Sequence, residues 1–290
     1  MKGIVLAGGT GSRLWPVTKV VSKQLLPIYD KPMIYYPLST LMLAGVQDIL
    51  IITTPQDLDA FKVLLGDGSQ LGISLSYVAQ AKPEGLAQAF IIGEDFLNGD
   101  SCLMILGDNI FHGVGLGEEL SKVLPENGAH IFTYEVADPS QYGILTLDQK
   151  GSPLSIEEKP TSSNSNLAIT GLYFFDKDVA GIAKTVKPSK RGELEITAVI
   201  NQYLQNGTLG VTQLSRGTAW LDTGNHNLMQ DAAAYIRIIE ERTGLKIACI
   251  EEVSYRNGWV SKVGLEALAK SHGPSSYGKY LQSLLSTKGE

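Results

Sequence analysis

The sequence contains few cysteines and few histidines. Only 2 of the 290 residues are cysteines and 4 are histidines. Cys102 and Cys249 lie far apart and neither belongs to a C-x-x-C motif, so neither a disulfide framework nor a zinc site is indicated. We expect two buried thiols in a reducing compartment. The histidines show no metal-ligand spacing and no serine occupies a G-x-S-x-G elbow, so a hydrolase has little support.

The sequence also lacks a long apolar segment. The first apolar run begins at Gly3 and ends at Gly8, well short of the apolar core of a signal peptide. No stretch approaches the roughly 18 apolar residues that cross a bilayer. We therefore expect a cytoplasmic protein without a membrane partner.

Positive charge is not in excess. The chain has 24 Lys and Arg against 30 Asp and Glu, a net charge of −6, which argues against non-specific binding of nucleic acid. Hydrophobic residues make up 43% and charged residues 19% of the sequence, as in ordinary globular proteins. Glycine is the one abundant residue that stands out, with 31 copies.

The first half alternates short apolar strands with segments of helical period. We predict strands at residues 4–6, 49–53, 75–78 and 101–106, and helices at residues 33–43, 55–65 and 85–96. The last of these strands is expected to stop at the turn Gly107-Asp108-Asn109. This alternation predicts an α/β fold with a doubly wound, mostly parallel sheet.

The second half is richer in short strands. We predict strands at residues 131–136, 143–147, 154–158 and 167–175, with a hairpin turn at residues 148–151. Helices are predicted at residues 193–204 and 228–242, and two short ones around Leu265 and Tyr280. Neither an internal repeat nor a linker is apparent, so we expect a single domain over residues 1–290, with a mixed-sheet extension and C-terminal helices.

A glycine-rich loop directly follows the first strand. In the segment from Leu6 to Leu14, Gly8, Gly9 and Gly11 would leave backbone N–H groups bare at the carboxyl edge of the sheet, where anions bind. The dinucleotide motif G-x-G-x-x-G fails because its third glycine is replaced by Leu14, and no Gly-Lys-Ser/Thr completes a P-loop. A purely structural turn is the alternative.

Two cations lie close to this loop in the sequence. Arg13 and Lys23, with Gln24, fall within sixteen residues of Gly8. In an acidic protein this placement suits a polyphosphate, held by the arginine fork and the lysine charge. Taken singly, either cation could be a solvated surface charge.

These motifs, in their residues and in their order along the chain, resemble those of the sugar-phosphate nucleotidylyltransferases. The loop G-G-x-G-x-R-L-x-P-x-T and a downstream K-Q-L-L-P carry the resemblance, which runs from Met1 to about Leu285. Five further segments match, at residues 85–89, 106–109, 157–160, 191–197 and 219–224. Ser12, Trp15 and residues 225–227 depart from the usual family pattern, which affects fine geometry and not the expected reaction.

The resemblance implies a Rossmann-like domain, with a nucleotide-binding half at about residues 1–130 and a sugar-binding and oligomerisation half at about residues 131–290. Its motifs match the branch that transfers a thymidylyl group from dTTP to glucose 1-phosphate, with Mg²⁺ as cofactor. On this resemblance, the product would feed dTDP-deoxysugar synthesis. The attacking phosphate is already ionised, so catalysis would rest on positioning and charge neutralisation. The implied catalytic residues are Arg13, Lys23, Asp108 and Lys159.

The resemblance also assigns binding residues. The nucleotide would contact Leu6, Ala7, Gly8, Gly9, Gly11, Ser12, Arg13, Lys23, Gln24, Gln80, Gly85 and Leu86. The sugar phosphate would contact Tyr142, Gly143, Glu158, Lys159, Ile169, Thr197 and Trp220. Asp108 and Asp222 would hold the metal, a role that owes most to the resemblance because a lone aspartate in such a motif is more often a turn or helix cap.

Members of this family are typically homotetramers with a second site at which downstream dTDP-sugars inhibit. The segment from Lys246 to Arg256 resembles part of that regulatory site. Three alternatives stay open: the same chemistry with UTP, CTP or another sugar phosphate, a non-catalytic nucleotide-sugar sensor, and a nicotinamide oxidoreductase. Retention of the cations and carboxylates argues against the second, and the missing third glycine against the third.

Overall fold

A computed structural model describes residues 1–122 and 127–286. In chain order the strands are β1 (Lys2–Ala7), β2 (Pro27–Ile28), β3 (Lys31–Pro32), β4 (Asp48–Thr53), β5 (Ser74–Ala79), β6 (Cys102–Leu106), β7 (Asn109–His112), β8 (Ala129–Glu135), β9 (Gly143–Leu147), β10 (Pro153–Glu158), β11 (Leu167–Phe175), β12 (Leu209–Gln213) and β13 (Ala219–Asp222). The helices are α1 (Tyr35–Leu43), α2 (Leu58–Leu65), α3 (Gln88–Ile92), α4 (Glu94–Leu97), α5 (Leu116–Lys122), α6 (Val179–Thr185), α7 (Ile196–Gln205), α8 (His226–Thr243), α9 (Ile250–Arg256), α10 (Lys262–Ser271) and α11 (Ser276–Ser286).

Strand β1 lies at the centre of a large mixed sheet. It pairs in parallel with β4 on one side and with β6 on the other, and β4 pairs in parallel with β5. Successive β1 side chains enter opposite cores: Ile4 and Leu6 pack into one, Val5 and Ala7 into the other. Because helices cover both faces, the strand reads as a continuous apolar run. The predicted doubly wound α/β fold is confirmed.

The strands of the second half extend the same sheet in antiparallel fashion. Strand β11 pairs antiparallel with β6, β8 and β9, and β9 forms a hairpin with β10. The Asp148 carboxylate closes the hairpin turn by accepting the backbone N–H groups of Lys150 and Ser152. The sequence predicts this hairpin correctly. The division into a nucleotide-binding half and a sugar-binding half, within one domain, stays a prediction.

Three predicted helix starts lie three residues too early. The helix expected at residues 85–96 begins at Gln88 and is interrupted at Gly93, the one expected at 193–204 begins at Ile196, and the one expected at 55–65 begins at Leu58. For the first two the reason is a tertiary contact, because residues 84–87 and 194 form backbone hydrogen bonds to each other. Leu194 N–H donates to Glu84 O at 2.7 Å and Ala87 N–H donates to Leu194 O at 3.0 Å.

The predicted turn at Gly107-Asp108-Asn109 is one residue shorter than expected. Asn109 already belongs to β7, which pairs antiparallel with β13. Both strands are four residues long, too short to show a period in the sequence. Sequence reasoning missed them, as it missed β12.

A buried ion cluster joins the start of the chain to its C-terminal part. Lys31 Nζ lies 2.5 Å from Asp30 Oδ1 and 2.8 Å from Glu240 Oε1, and its side chain is 1% exposed. Lys246 pairs with both of the same carboxylates. Helix α8 is thereby held against the β2–β3 hairpin.

None of the described helices combines the length and apolarity that spanning a bilayer requires. Cys102 and Cys249 are buried free thiols.

Candidate active site

A cleft opens at the carboxyl ends of β1 and β6. The glycine loop that follows β1 and the Gly107-Asp108 turn that follows β6 form one wall, as expected for ligand sites in open α/β sheets. The main cavity measures about 410 Å³, and an adjoining cavity of about 240 Å³ shares part of the glycine loop.

Nearly all predicted site residues line these two cavities. The main cavity contains Gly8, Gly9, Gly11, Ser12, Arg13, Lys23, Gln24, Leu86, Asp108, Tyr142, Gly143, Glu158, Lys159, Ile169, Thr197, Trp220 and Asp222. The smaller one adds Leu6, Gln80 and Gly85. Ala7 lines neither, because its side chain, 1% exposed, packs into the core beneath the loop.

The glycine loop needs its glycines for different reasons. Gly9 and Gly11 have φ angles of 103° and 58°, in the left-handed region that favours glycine. At Gly8 the restriction is one of space, since a Cβ built there would lie 2.2 Å from Gln80 Oε1 and would displace the Gln80 amide. The loop is closed by Thr18, whose hydroxyl donates to Gly11 O at 2.7 Å.

Two carboxylates and two cations gather at the loop end of the cleft. Lys23 Nζ lies 2.6 Å from Asp108 Oδ2. A Cβ on Gly224 would lie 3.2 Å from Asp222 Oδ2 and 3.6 Å from Arg13 Nη1, so these two side chains flank the same glycine. Burial, and then the negative charge of Asp108, raise the pKa of Asp222, and Lys23 and Arg13 partly oppose that rise. The cluster is therefore suited to an added cation or to an anion bridging its positive groups.

Strand pairing explains how two distant aspartates meet. In the β7–β13 pair Asn109 lies opposite Asp222, which brings Asp222 next to the turn that carries Asp108. The Thr223 hydroxyl donates to Asp108 O at 2.8 Å and reinforces the turn.

Asn109, which sequence reasoning did not select, connects the carboxylate end with the aromatic end. Its Oδ1 accepts from Trp220 Nε1 at 2.6 Å and from the Gly171 backbone N–H at 3.1 Å. Its Nδ2 donates to Asp108 Oδ1 at 3.0 Å. The side chain is 4% exposed. The signals that the sequence offers are its place directly after Asp108 and within the matching segment at residues 106–109.

The other end of the cleft is acidic and aromatic. The rings of Tyr142 and Trp220 lie 5.1 Å apart between centroids. Glu158 is half-buried at the end of β10, and its pKa is raised by burial and by the charge of Glu195, against the opposing effect of Lys159 and Arg191. Such a combination of ring faces and a carboxylate acceptor suits a polyhydroxylated ring.

Lys159 and Arg191 supply positive charge at this end. Lys159 has a φ of 43°, a strained conformation for a non-glycine residue, and its N–H donates to Tyr142 O at 3.0 Å. Arg191 Nη2 lies 2.8 Å from Glu193, 3.0 Å from Glu195 and 3.8 Å from Glu158. Arg191 lines the cavity. The sequence placed it in the matching segment at residues 191–197 but gave no reason to assign it a role.

Comparison with known proteins agrees with this geometry. The family model described as nucleotidyl transferase matches residues 2–237. A glucose-1-phosphate thymidylyltransferase of Neisseria meningitidis is 52% identical over 286 residues, which cover 98% of this chain and 99% of the relative. A protein of the same name from Mycobacterium tuberculosis is 53% identical over 285 residues, with the same coverage.

Solved structures agree as well. A Bacillus anthracis protein assigned as a glucose-1-phosphate thymidylyltransferase, in complex with sucrose, is 41% identical with a TM-score of 0.75, and the match covers 82% of this chain and 95% of that one. A UDP-glucose pyrophosphorylase bound to UDP-glucose is 26% identical with a TM-score of 0.72, covering 82% of this chain and 98% of that one. On the strength of the family match and of these relatives, the chain belongs to the nucleotidyl transferase family.

Proposed function

We propose that this enzyme transfers a thymidylyl group from dTTP to glucose 1-phosphate, releasing pyrophosphate and forming dTDP-glucose. The observation that carries the proposal is a single cleft with a glycine loop and cations at one end and an acidic, aromatic pocket at the other. The relatives that share about half of the sequence bear the name of this activity.

In this mechanism a phosphate oxygen of glucose 1-phosphate attacks the α-phosphorus of dTTP, and the bond to pyrophosphate breaks on the opposite side. The attacking oxygen is already ionised, so the protein need not remove a proton. Lys159 would hold the sugar phosphate and Arg13 the departing phosphates, while Lys23, paired with Asp108, would act near the triphosphate. The bare N–H groups of the glycine loop would receive the triphosphate.

Nucleotidyltransferases of this type generally depend on a divalent metal ion. Asp108 and Asp222 fit such an ion chemically, because two mutually repelling carboxylates are hard oxygen donors in the same cleft. We propose Mg²⁺, which when bound would neutralise phosphate charge.

The test is pyrophosphate release by Asp108→Asn and Arg13→Ala. We expect both to lose about 100-fold or more in kcat, because each removes charge that acts on the transition state. Asp95→Asn and Arg237→Ala, at exposed positions outside the cleft, are the matched controls and should retain wild-type rates. Turnover near the wild-type rate in folded Asp108→Asn or Arg13→Ala would contradict these roles.

A second experiment measures turnover of the wild type with a panel of triphosphates and sugar phosphates. It separates the thymidylyl reaction from its uridylyl and cytidylyl alternatives.

We further propose a regulatory dTDP-sugar site in a third cavity, of about 240 Å³. It is lined by Lys246, Ala248, Arg256 and His112 among others, in the segment whose sequence resembles the family's second site. Its lining includes two cations, Lys246 within the ion cluster with Asp30 and Glu240, and Arg256 beside Glu252, and such positive groups suit a diphosphate. A homotetramer and a cytoplasmic location, both implied by the resemblance, complete the proposal.

A further inference from the structure

A chain of hydrogen bonds leads from the protein surface to the cavity of about 240 Å³ that adjoins the glycine loop. Its members are Glu84, Gln88 and Gln80. Gln80 Nε2 lies 2.6 Å from Gln88 Oε1, and Gln88 Nε2 lies 2.8 Å from Glu84 Oε2. Gln88 Oε1 also accepts the Glu84 backbone N–H at 3.2 Å. Gln80, at the inner end, is 4% exposed.

The outer partners set the orientation of the Gln88 amide. A backbone N–H can only donate and an ionised carboxylate can only accept. The Gln88 oxygen must therefore face the Glu84 N–H, and its nitrogen must face the Glu84 carboxylate. Turning the amide over by 180° would break both contacts.

The orientation of Gln88 in turn sets that of Gln80. The end of Gln80 that faces the Gln88 oxygen must be its donor, Nε2. Its acceptor, Oε1, is then turned toward Gly8, where an added Cβ would lie only 2.2 Å away, and toward the cavity that Gln80 lines. Within residues 1–122 and 127–286, no donor hydrogen-bonds to this oxygen.

We infer that Gln88 is a positioning residue that makes Gln80 present an acceptor to the base, and so selects a pyrimidine with a ring N–H. Thymine and uracil carry a proton on N3, whereas cytosine carries a lone pair there. A wrongly paired base leaves a buried acceptor unsatisfied, which costs about tenfold to a hundredfold in affinity. This inference rests on the proposed function, since it assumes that a nucleoside triphosphate occupies the cavity.

The experiment compares kcat/KM for dTTP and dCTP, with glucose 1-phosphate as second substrate. Gln88→Leu frees the Gln80 amide to turn over, and we expect the dTTP preference to fall by about tenfold, mainly through a higher KM for dTTP. Gln88→Lys places a donor against Gln80 and should lower the preference further. The double variant Glu84→Gln with Gln88→Glu keeps both acceptor contacts of residue 88 and moves the donor to position 84, so it should hold the preference within about threefold of wild type.

Gln47→Leu is the matched control, because Gln47 donates to Gly72 O at 2.8 Å at an exposed position outside the cavities. Its preference should equal that of the wild type. A wild-type preference in Gln88→Lys, or a loss in the double variant Glu84→Gln with Gln88→Glu equal to that in Gln88→Lys, overturns the inference. Absence of pyrophosphate release by the wild type with dTTP would instead refute the proposed function, so the two failures are distinguishable.

Discussion

The protonation state of single residues in the cleft depends on their surroundings. Glu158 is the clearest example, because burial and the neighbouring Glu195 both disfavour its ionised form. Its protonation therefore occurs at a higher pH than that of a solvated glutamate, for which the pKa is 4.5. In the proposed reaction the ionised carboxylate accepts hydrogen bonds from sugar hydroxyls, so its protonation weakens sugar binding.

We predict that the KM for glucose 1-phosphate rises as the pH is lowered from about 8 to about 5. Glu158→Gln should raise KM about tenfold at neutral pH, through loss of charge-assisted hydrogen bonds, and flatten this pH dependence. The substrate phosphate titrates equally in both enzymes, so the difference between the two profiles reports Glu158. Parallel profiles would contradict the assignment.

At the scale of elements, two loops from different halves of the chain support each other. The segment before α3 and the segment before α7 exchange backbone hydrogen bonds through Leu194. Gly85 lies at the contact, with a φ of 115°, and a Cβ there would lie 2.4 Å from Leu194 O. The wall of the cavity that Gln80 and Gly85 line thus depends on a loop more than a hundred residues away in sequence.

Gly85→Ala should therefore displace both loops and lower kcat/KM for dTTP by about tenfold or more, with a loss of stability of about 1–3 kcal/mol. Gly99→Ala is the matched control, because Gly99 also has a positive φ, of 77°, but nothing lies within 4 Å of its Cβ position. It should lose stability and keep kcat/KM. Steady-state kinetics and thermal unfolding measure both, and equal kinetic losses would refute the role of the contact.

At the scale of the whole molecule, strand β7 connects two cavities. Its first residue, Asn109, contacts Asp108 and Trp220 in the catalytic cleft, and its last, His112, lines the proposed regulatory cavity. Four residues of strand span about 10–13 Å. A ligand that shifts His112 would therefore act on a strand that is hydrogen-bonded to Asp108 and Trp220, two of the proposed site residues, which is a physical route for coupling.

We predict that a dTDP-sugar inhibits the enzyme without strict competition with dTTP. Arg256→Gln, which removes a cation from the regulatory cavity, should raise the inhibitory concentration about tenfold and leave the uninhibited kcat unchanged. Initial rates over a grid of dTTP and inhibitor concentrations measure this. Strict competition with dTTP would argue against a separate site, as would unchanged inhibition of Arg256→Gln.

Much of the fold and of the cleft was predictable because the deciding signals are local. Continuous apolar runs predicted β1, β4, β6 and β11, and the glycine loop predicted an anion site at the end of β1. The predicted helix starts failed at Gly85 and Glu193, where the backbone bonds to a distant segment in place of its own helix. Roles that the resemblance assigned to individual side chains stay predictions.

By itself, the sequence determined the alternation of strands and helices, the net charge of −6, and the motifs that identify the family. These depend on the periodicity of side chains and on residue identity, which are readable along the chain. Only the tertiary structure decided that Asn109 bonds to Trp220 and Asp108, that Gln88 orients Gln80, and that Lys31 is buried against Glu240, 209 residues away. Such contacts depend on strand register and on donor and acceptor polarity in three dimensions, which no local pattern encodes.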